Sequence, residues 1–145
     1  MDVRFTVISV LVLFALGLGL WWRASSGRAR LVRSGELVDL NRLRTVSSAQ
    51  KLSLGKKATL LQFSTEVCSA CVATSKLYRE LVTKTAGLEH IEVDLTDRMD
   101  LAAHFQVMQT PTTLILDKSG RVRARIGGAP RPHVVTDELK KLELI

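Results

Sequence analysis

Two residues of this 145-residue chain stand out for their chemistry, Cys68 and Cys71, separated by Ser69 and Ala70. They lie where a short apolar run, Ala58–Ser64, gives way to a segment of helical composition. At such a seam the first thiol sits at a helix N-terminus, where unpaired N–H groups and the helix dipole stabilise a thiolate. The second lies one turn further in and is more buried, placed to close a small disulfide ring and to resolve a mixed disulfide. The pair therefore suits thiol–disulfide exchange. Two other fates compete with it: an inert pair in a structural scaffold, or soft ligands of a metal held between two chains. A chain with two cysteines builds neither a disulfide framework nor a four-cysteine zinc site. His90, His104 and His133 show no ligand spacing among themselves.

The elements that must position this pair are legible in outline. The apolar run before it reads as a buried strand. The segment after it has Val72, Leu77, Leu81 and Val82 roughly on one face and Gly87 as a stop signal. Residues 90–95 (HIEVDL) alternate like a strand, 100–107 read as a short helix, and 113–116 as another buried strand. Lys118-Ser119-Gly120 forms a turn into 121–126 (RVRARI), a hairpin partner whose arginines face outward from an edge strand. An amphipathic helix over 133–144 carries Val134, Val135, Leu139 and Leu142. The order strand–helix–strand–helix–strand–strand–helix describes an α/β layer with a mixed central sheet. Upstream, Leu37, Leu40 and Leu43 recur every three residues and suggest a short helix, and 47–57 reads as loop.

The net charge of +7 is not spread over this layer. Ten of the 21 Lys/Arg, but only three of the 14 acids, fall in residues 1–57, so the remainder is neutral. Those bases lack the interleaved aromatics of a nucleic-acid reader, and no nucleic-acid partner is expected. Residues 5–22, FTVISVLVLFALGLGLWW, run for eighteen positions without a charge, long enough for a membrane span. Trp21 and Trp22 fit an interfacial belt, and Arg23 follows at once. A cleaved signal is the alternative, but two tryptophans and an arginine suit a cleavage region poorly. Arg23, Arg28, Arg30, Arg33 and Arg42 outnumber Arg4 on the other flank, so the following domain is expected to face the cytoplasm. The expected division is an anchor over 1–23, a basic juxtamembrane linker with an irregular lead-in over 24–57, and a folded domain over 58–145.

The combination of strand, Cys-x-x-Cys, long helix and a downstream Thr110-Pro111-Thr112 before a strand resembles the thioredoxin family. The resemblance covers roughly 58–144 and implies a thioredoxin-like three-layer α/β fold with a mixed central sheet, here behind one N-terminal transmembrane helix. It implies that Thr110-Pro111 is a cis-proline step opposite the cysteines and that Thr110 pairs with a bound peptide backbone. Asp94 matches an acid that ends the family's central strand. Gly120 and Gly127 match its hairpin turn and a glycine lining the peptide groove. Five positions depart from the family. Val67 stands for a tryptophan, Ser69-Ala70 for Gly-Pro, Gln62 for a buried aspartate and His90 for a lysine. Gln62 cannot accept a proton, which leaves water, His90 or Glu66 to deprotonate Cys71.

The resulting expectation is a membrane-tethered thiol–disulfide oxidoreductase of bacterial layout. Cys68 attacks, Cys71 resolves, and Val67, Thr110 and Pro111 form the docking surface for a protein disulfide. A thiol reductase recycles the pair, and no organic cofactor or metal is needed. A cytoplasmic position favours reduction. The alternatives are a non-catalytic interaction module and an extracytoplasmic reductase or oxidase of reversed topology.

Overall fold

The computed structural model describes residues 3–32, 35–44 and 52–145. Arg33 of the basic flank and the first part of the 47–57 loop lie outside them. The chain runs α1 (Val3–Ser25), β1 (Ala29–Leu31), α2 (Leu40–Arg44), β2 (Ala58–Ser64), α3 (Ser69–Lys84), β3 (Leu88–Asp94), α4 (Met99–His104), β4 (Thr112–Asp117), β5 (Val122–Gly127) and α5 (Pro132–Lys141). The sheet order is β1-β5-β4-β2-β3. β2 is parallel to β3 over seven residue pairs and antiparallel to β4, and β5 is antiparallel to both β4 and β1.

Alternation along β2 builds the three layers. Leu61 and Phe63 point to one face and join Leu43 of α2, Leu101 of α4, Phe105, Ile91, Val93 and Leu114 in one core. Ala58 and Leu60 point to the other and join Tyr78 of α3, Val135 and Leu139 of α5, Ile115 and Ile126. Every β2 residue is buried, because helices cover both faces. Gln62 lies on the α3 face, fully buried, directly behind the cysteine pair.

Several sequence expectations need correction. Ala29–Leu31, inside the stretch read as linker, is an edge strand on β5, with Ala29 opposite Ile126. β5 is therefore an interior strand, and its two arginines, with Arg121 just before it, are engaged rather than merely solvated. Arg121 donates to Gly35 O, Arg123 pairs with Asp117, and Arg125 forks onto the carbonyls of Phe105 and Gln106 at 2.5 and 3.0 Å. Those two carbonyls sit at the end of α4, whose last C=O groups have no helical partner. Arg125→Met is expected to lower unfolding free energy by about 1–2 kcal/mol, read as a lower urea midpoint at unchanged slope.

The strand ending in Asp94 is the edge strand of the described sheet, not its centre. Leu37 lies outside α2 and makes an isolated bridge to Arg121. On α3 the buried residues are Cys71, Thr74, Ser75 and Tyr78, whereas Val72 is exposed. That face meets a strand carrying Gln62 and Ser64, so polar side chains satisfy each other where an apolar stripe was expected.

Candidate active site

Cys68 is the N-cap of α3, in extended backbone, and its Sγ accepts the Cys71 N–H at 3.1 Å. The Cys68 carbonyl also accepts from Cys71 and Val72, which closes the first turn. A disulfide joins the two residues, with Cα atoms 5.2 Å apart. Cys68 is partly exposed and Cys71 is buried, as a nucleophile and a resolving thiol require. The capping N–H donates to the same sulfur that would carry negative charge after reduction, and the helix dipole adds to it.

The loop leading to Cys68 is tied down on two sides. Glu66 N–H donates to the Thr96 hydroxyl, and Thr96 donates to Asp94 through both its N–H and its hydroxyl. Asp94 thus acts as a clamp on the loop. On the other side the Thr65 and Thr110 hydroxyls lie 3.4 Å apart, which brings the cis Thr110–Pro111 peptide beside the cysteine loop. Gly128 N–H donates to Pro111 O at 2.8 Å, and Gly127 ends β5 against Gln109, where a Cβ would approach Nε2 to 2.6 Å. Val67, directly before Cys68, and Met108, two residues before Thr110, stand 97% and 93% exposed. Val67 belongs to the expected set. Met108 does not, because a lone methionine before Thr-Pro-Thr gives no periodic signal.

Behind Cys71 lies a polar network that sequence reasoning found only in part. The Gln62 amide nitrogen donates to Cys71 O at 3.0 Å and to Ser64 Oγ at 2.9 Å. Its amide oxygen accepts from Ser75 Oγ at 3.2 Å and lies 3.1 Å from His90 Nε2. Ser64 donates in turn to the Glu92 carboxylate at 2.7 Å. Where the family carries a buried acid, this chain holds an amide with a carboxylate one hydroxyl away. Glu66, weighed as a base from sequence, is exposed and is held through its backbone. No group of three or more His, Cys, Asp or Glu that could hold a metal occurs among the described residues.

A family model described as Thioredoxin matches residues 42–141. The chain belongs to the thioredoxin family. Thioredoxin-1 of Caenorhabditis elegans is 31% identical over 86 residues, 59% of this chain and 70% of that protein. Thioredoxin of Mycoplasma genitalium is 19% identical over 93 residues, 64% of this chain and 91% of the relative. Among solved structures, oxidised mitochondrial thioredoxin 3 of Saccharomyces cerevisiae is similar with a TM-score of 0.54 at 20% identity. That likeness covers 72% of this chain and 92% of the yeast one. The thioredoxin match begins at residue 42, so α1 and β1 lie outside it. Family membership and the paired cysteines together support thiol–disulfide oxidoreductase activity in general terms.

Within this thioredoxin domain the His90 imidazole packs edge-on to Tyr78 and faces Gln62, Glu92 and Arg79. Burial pushes its pKa down to about 4, against an upward pull from Glu92. Burial likewise raises the Tyr78 phenol, which stays a neutral donor to Thr113 at 2.8 Å. Because the folded His90 pKa lies below the unfolded value of about 6.5, the unfolded chain takes the proton first as pH falls. The contribution is fully present above about pH 6.5 and is lost on acidification toward pH 4. The expected loss is on the order of 2–3 kcal/mol. Urea unfolding of the chain and of His90→Phe at several pH values reads it, the variant showing a flatter profile over that window.

Proposed function

We propose that this protein is a membrane-tethered thioredoxin that reduces protein disulfides through Cys68 and Cys71. The observation that carries the reading is Cys68 as N-cap of α3, its sulfur on the Cys71 N–H, with Cys71 buried behind it. In the reduced form the Cys68 thiolate attacks one sulfur of a substrate disulfide, and the other sulfur leaves as a thiolate. Cys71, deprotonated, then attacks Cys68 Sγ, releasing the second substrate thiolate and closing the Cys68–Cys71 disulfide. Two electrons from a thiol reductase restore the dithiol. The cysteine pair is itself the redox carrier, so no organic cofactor is required.

Val67, Thr110 and Pro111 are assigned to peptide docking, together with Met108. Helix α1 is long and apolar enough to cross a membrane, and it buries none of its residues against the domain. A signal sequence near the N-terminus meets the same length test. The tryptophan pair and following arginines favour a retained anchor with the domain on the cytoplasmic side. The test is insulin reduction by the full chain in detergent with dithiothreitol as electron source. Carbonate extraction of membranes and labelling of Cys68 by an impermeant maleimide in intact cells test anchoring and orientation. Turnover that persists in Cys68→Ser would refute the mechanism. A chain released by carbonate would refute the anchor.

A further inference from the structure

The end of the sheet that carries the cysteines is also the end where α1 joins. Register sets Phe63 opposite Thr112, Thr112 opposite Gly127, and Ile126 opposite Ala29. The Cys68 loop, the Thr110–Pro111 loop, Gly128 and the start of β1 therefore leave the sheet at one edge. They are joined there as well. Gly27 N–H donates to Gly127 O at 2.7 Å, Gly128 N–H donates to Pro111 O, and Thr110 meets Thr65. Trp22, Ser25 and Ser26 line a cleft together with Met108, Gln109 and Gly127.

The connection has no slack. Three residues, 26–28, separate α1 from β1. Gly27 is buried at φ +75°, and a Cβ there would come 2.5 Å from Ala129 O. With no residue buried on the domain, α1 projects outward from this end. Tryptophans favour the membrane–water interface. Trp22 and Gly27 are five residues apart, about 10 Å at most along a helix and turn. That distance is comparable to the headgroup zone of roughly 6 Å on each side of the hydrocarbon. Arg28 and Arg30 line the same cleft as Trp22, and Arg23 follows Trp22 directly, so anionic headgroups at that end would attract all three.

We propose that α1 holds the redox face of the domain against the bilayer, so that its substrates are disulfides in juxtamembrane segments of integral membrane proteins. The proposal rests on the readings of α1 as a retained anchor and of Cys68/Cys71 as an exchange pair. A flexible tether would raise the effective concentration of every disulfide on the membrane. A short, docked tether selects those near the surface, because simultaneous engagement elsewhere is geometrically blocked.

The test uses the full chain, reduced with dithiothreitol and then freed of it so that the Cys68/Cys71 dithiol supplies the two electrons, in phosphatidylcholine–phosphatidylglycerol vesicles with two single-span peptides. One carries an intramolecular disulfide directly after its hydrophobic span. The other carries the same disulfide beyond a helical spacer of about thirty residues, roughly 45 Å. The near disulfide is expected to be reduced at least about tenfold faster. A flexible Gly/Ser insertion of about twenty residues between Ala24 and Ser25 is expected to bring that ratio toward one. Reduction of dithionitrobenzoate in solution should be unchanged by the insertion. Equal rates for the native chain, or a preference that survives the insertion, would overturn the proposal alone. A chain unable to reduce dithionitrobenzoate, or one washed from the vesicles by carbonate, would overturn it through the exchange or anchor reading respectively.

Discussion

Cys68→Ser reduces insulin turnover by on the order of a thousandfold or more, because a hydroxyl at neutral pH does not replace a thiolate nucleophile. Cys71→Ser fails in a different way. Its Cys68 still attacks, but the mixed disulfide has no resolving thiol and accumulates as a covalent adduct visible on a non-reducing gel. Both variants lose the bond that closes a very small ring, which the chain-entropy relation values at about 2 kcal/mol. That loss is modest against a domain with two buried cores. Each variant is therefore expected to stay folded by circular dichroism, so that lost turnover reports chemistry. Equal adduct yields from the two variants would contradict the assignment of Cys68 as the attacking thiol.

Gln62→Ala is the substitution expected to damage stability most. Gln62 is fully buried and engages Cys71 O, Ser64, Ser75 and His90 through one amide. Truncation leaves a cavity and deprives several buried polar groups of partners, at a combined cost of about 3–5 kcal/mol. In a domain of this size a loss of that order lowers Tm by roughly 15 °C or more. The Cys68 sulfur keeps its own donor, the Cys71 N–H, which does not depend on Gln62. Below the new Tm, the alkylation rate of reduced Cys68 should therefore change by less than about threefold, less than 1 kcal/mol in thiolate stabilisation. A thermal scan and an iodoacetamide time course check the two halves. A Tm shift of only a degree or two would show that the network is dispensable.

The position of the redox pair was legible because its signals are local: an apolar run, two cysteines at helix-start spacing, then a helix. The β4–β5 hairpin followed from the same patterning, since the buried run 113–116, the Lys118-Ser119-Gly120 turn and the alternation in 121–126 identify it without tertiary information, whereas the strand order of the sheet did not. What escaped the sequence was set by tertiary partners. Ala29–Leu31 is three residues long and basic, and only pairing with β5 makes it a strand. The buried face of α3 carries Thr74, Ser75 and Tyr78, which an apolar stripe search passes over. The alternation of 90–95 puts Glu92 on the polar side of its strand and says nothing more of it. In the fold it shares a face with Gln62, its register partner, and reaches the Ser64 hydroxyl. Its signal was present in the i, i+2 relation to His90, but only the pairing with β2 gives that relation a meaning.

The most direct test of the central claim is a redox titration of the full chain in detergent, using glutathione buffers and alkylation followed by mass spectrometry. The account predicts one reversible two-electron transition, Cys68 as the first thiol alkylated, and a potential at the reducing end, near the roughly −270 mV of thioredoxins. A pair that never forms a reversible disulfide at any poise would contradict the account and leave a thioredoxin-fold interaction module. A reversible pair near −120 mV, as in a strong oxidant, would contradict the reductive direction and the cytoplasmic topology together.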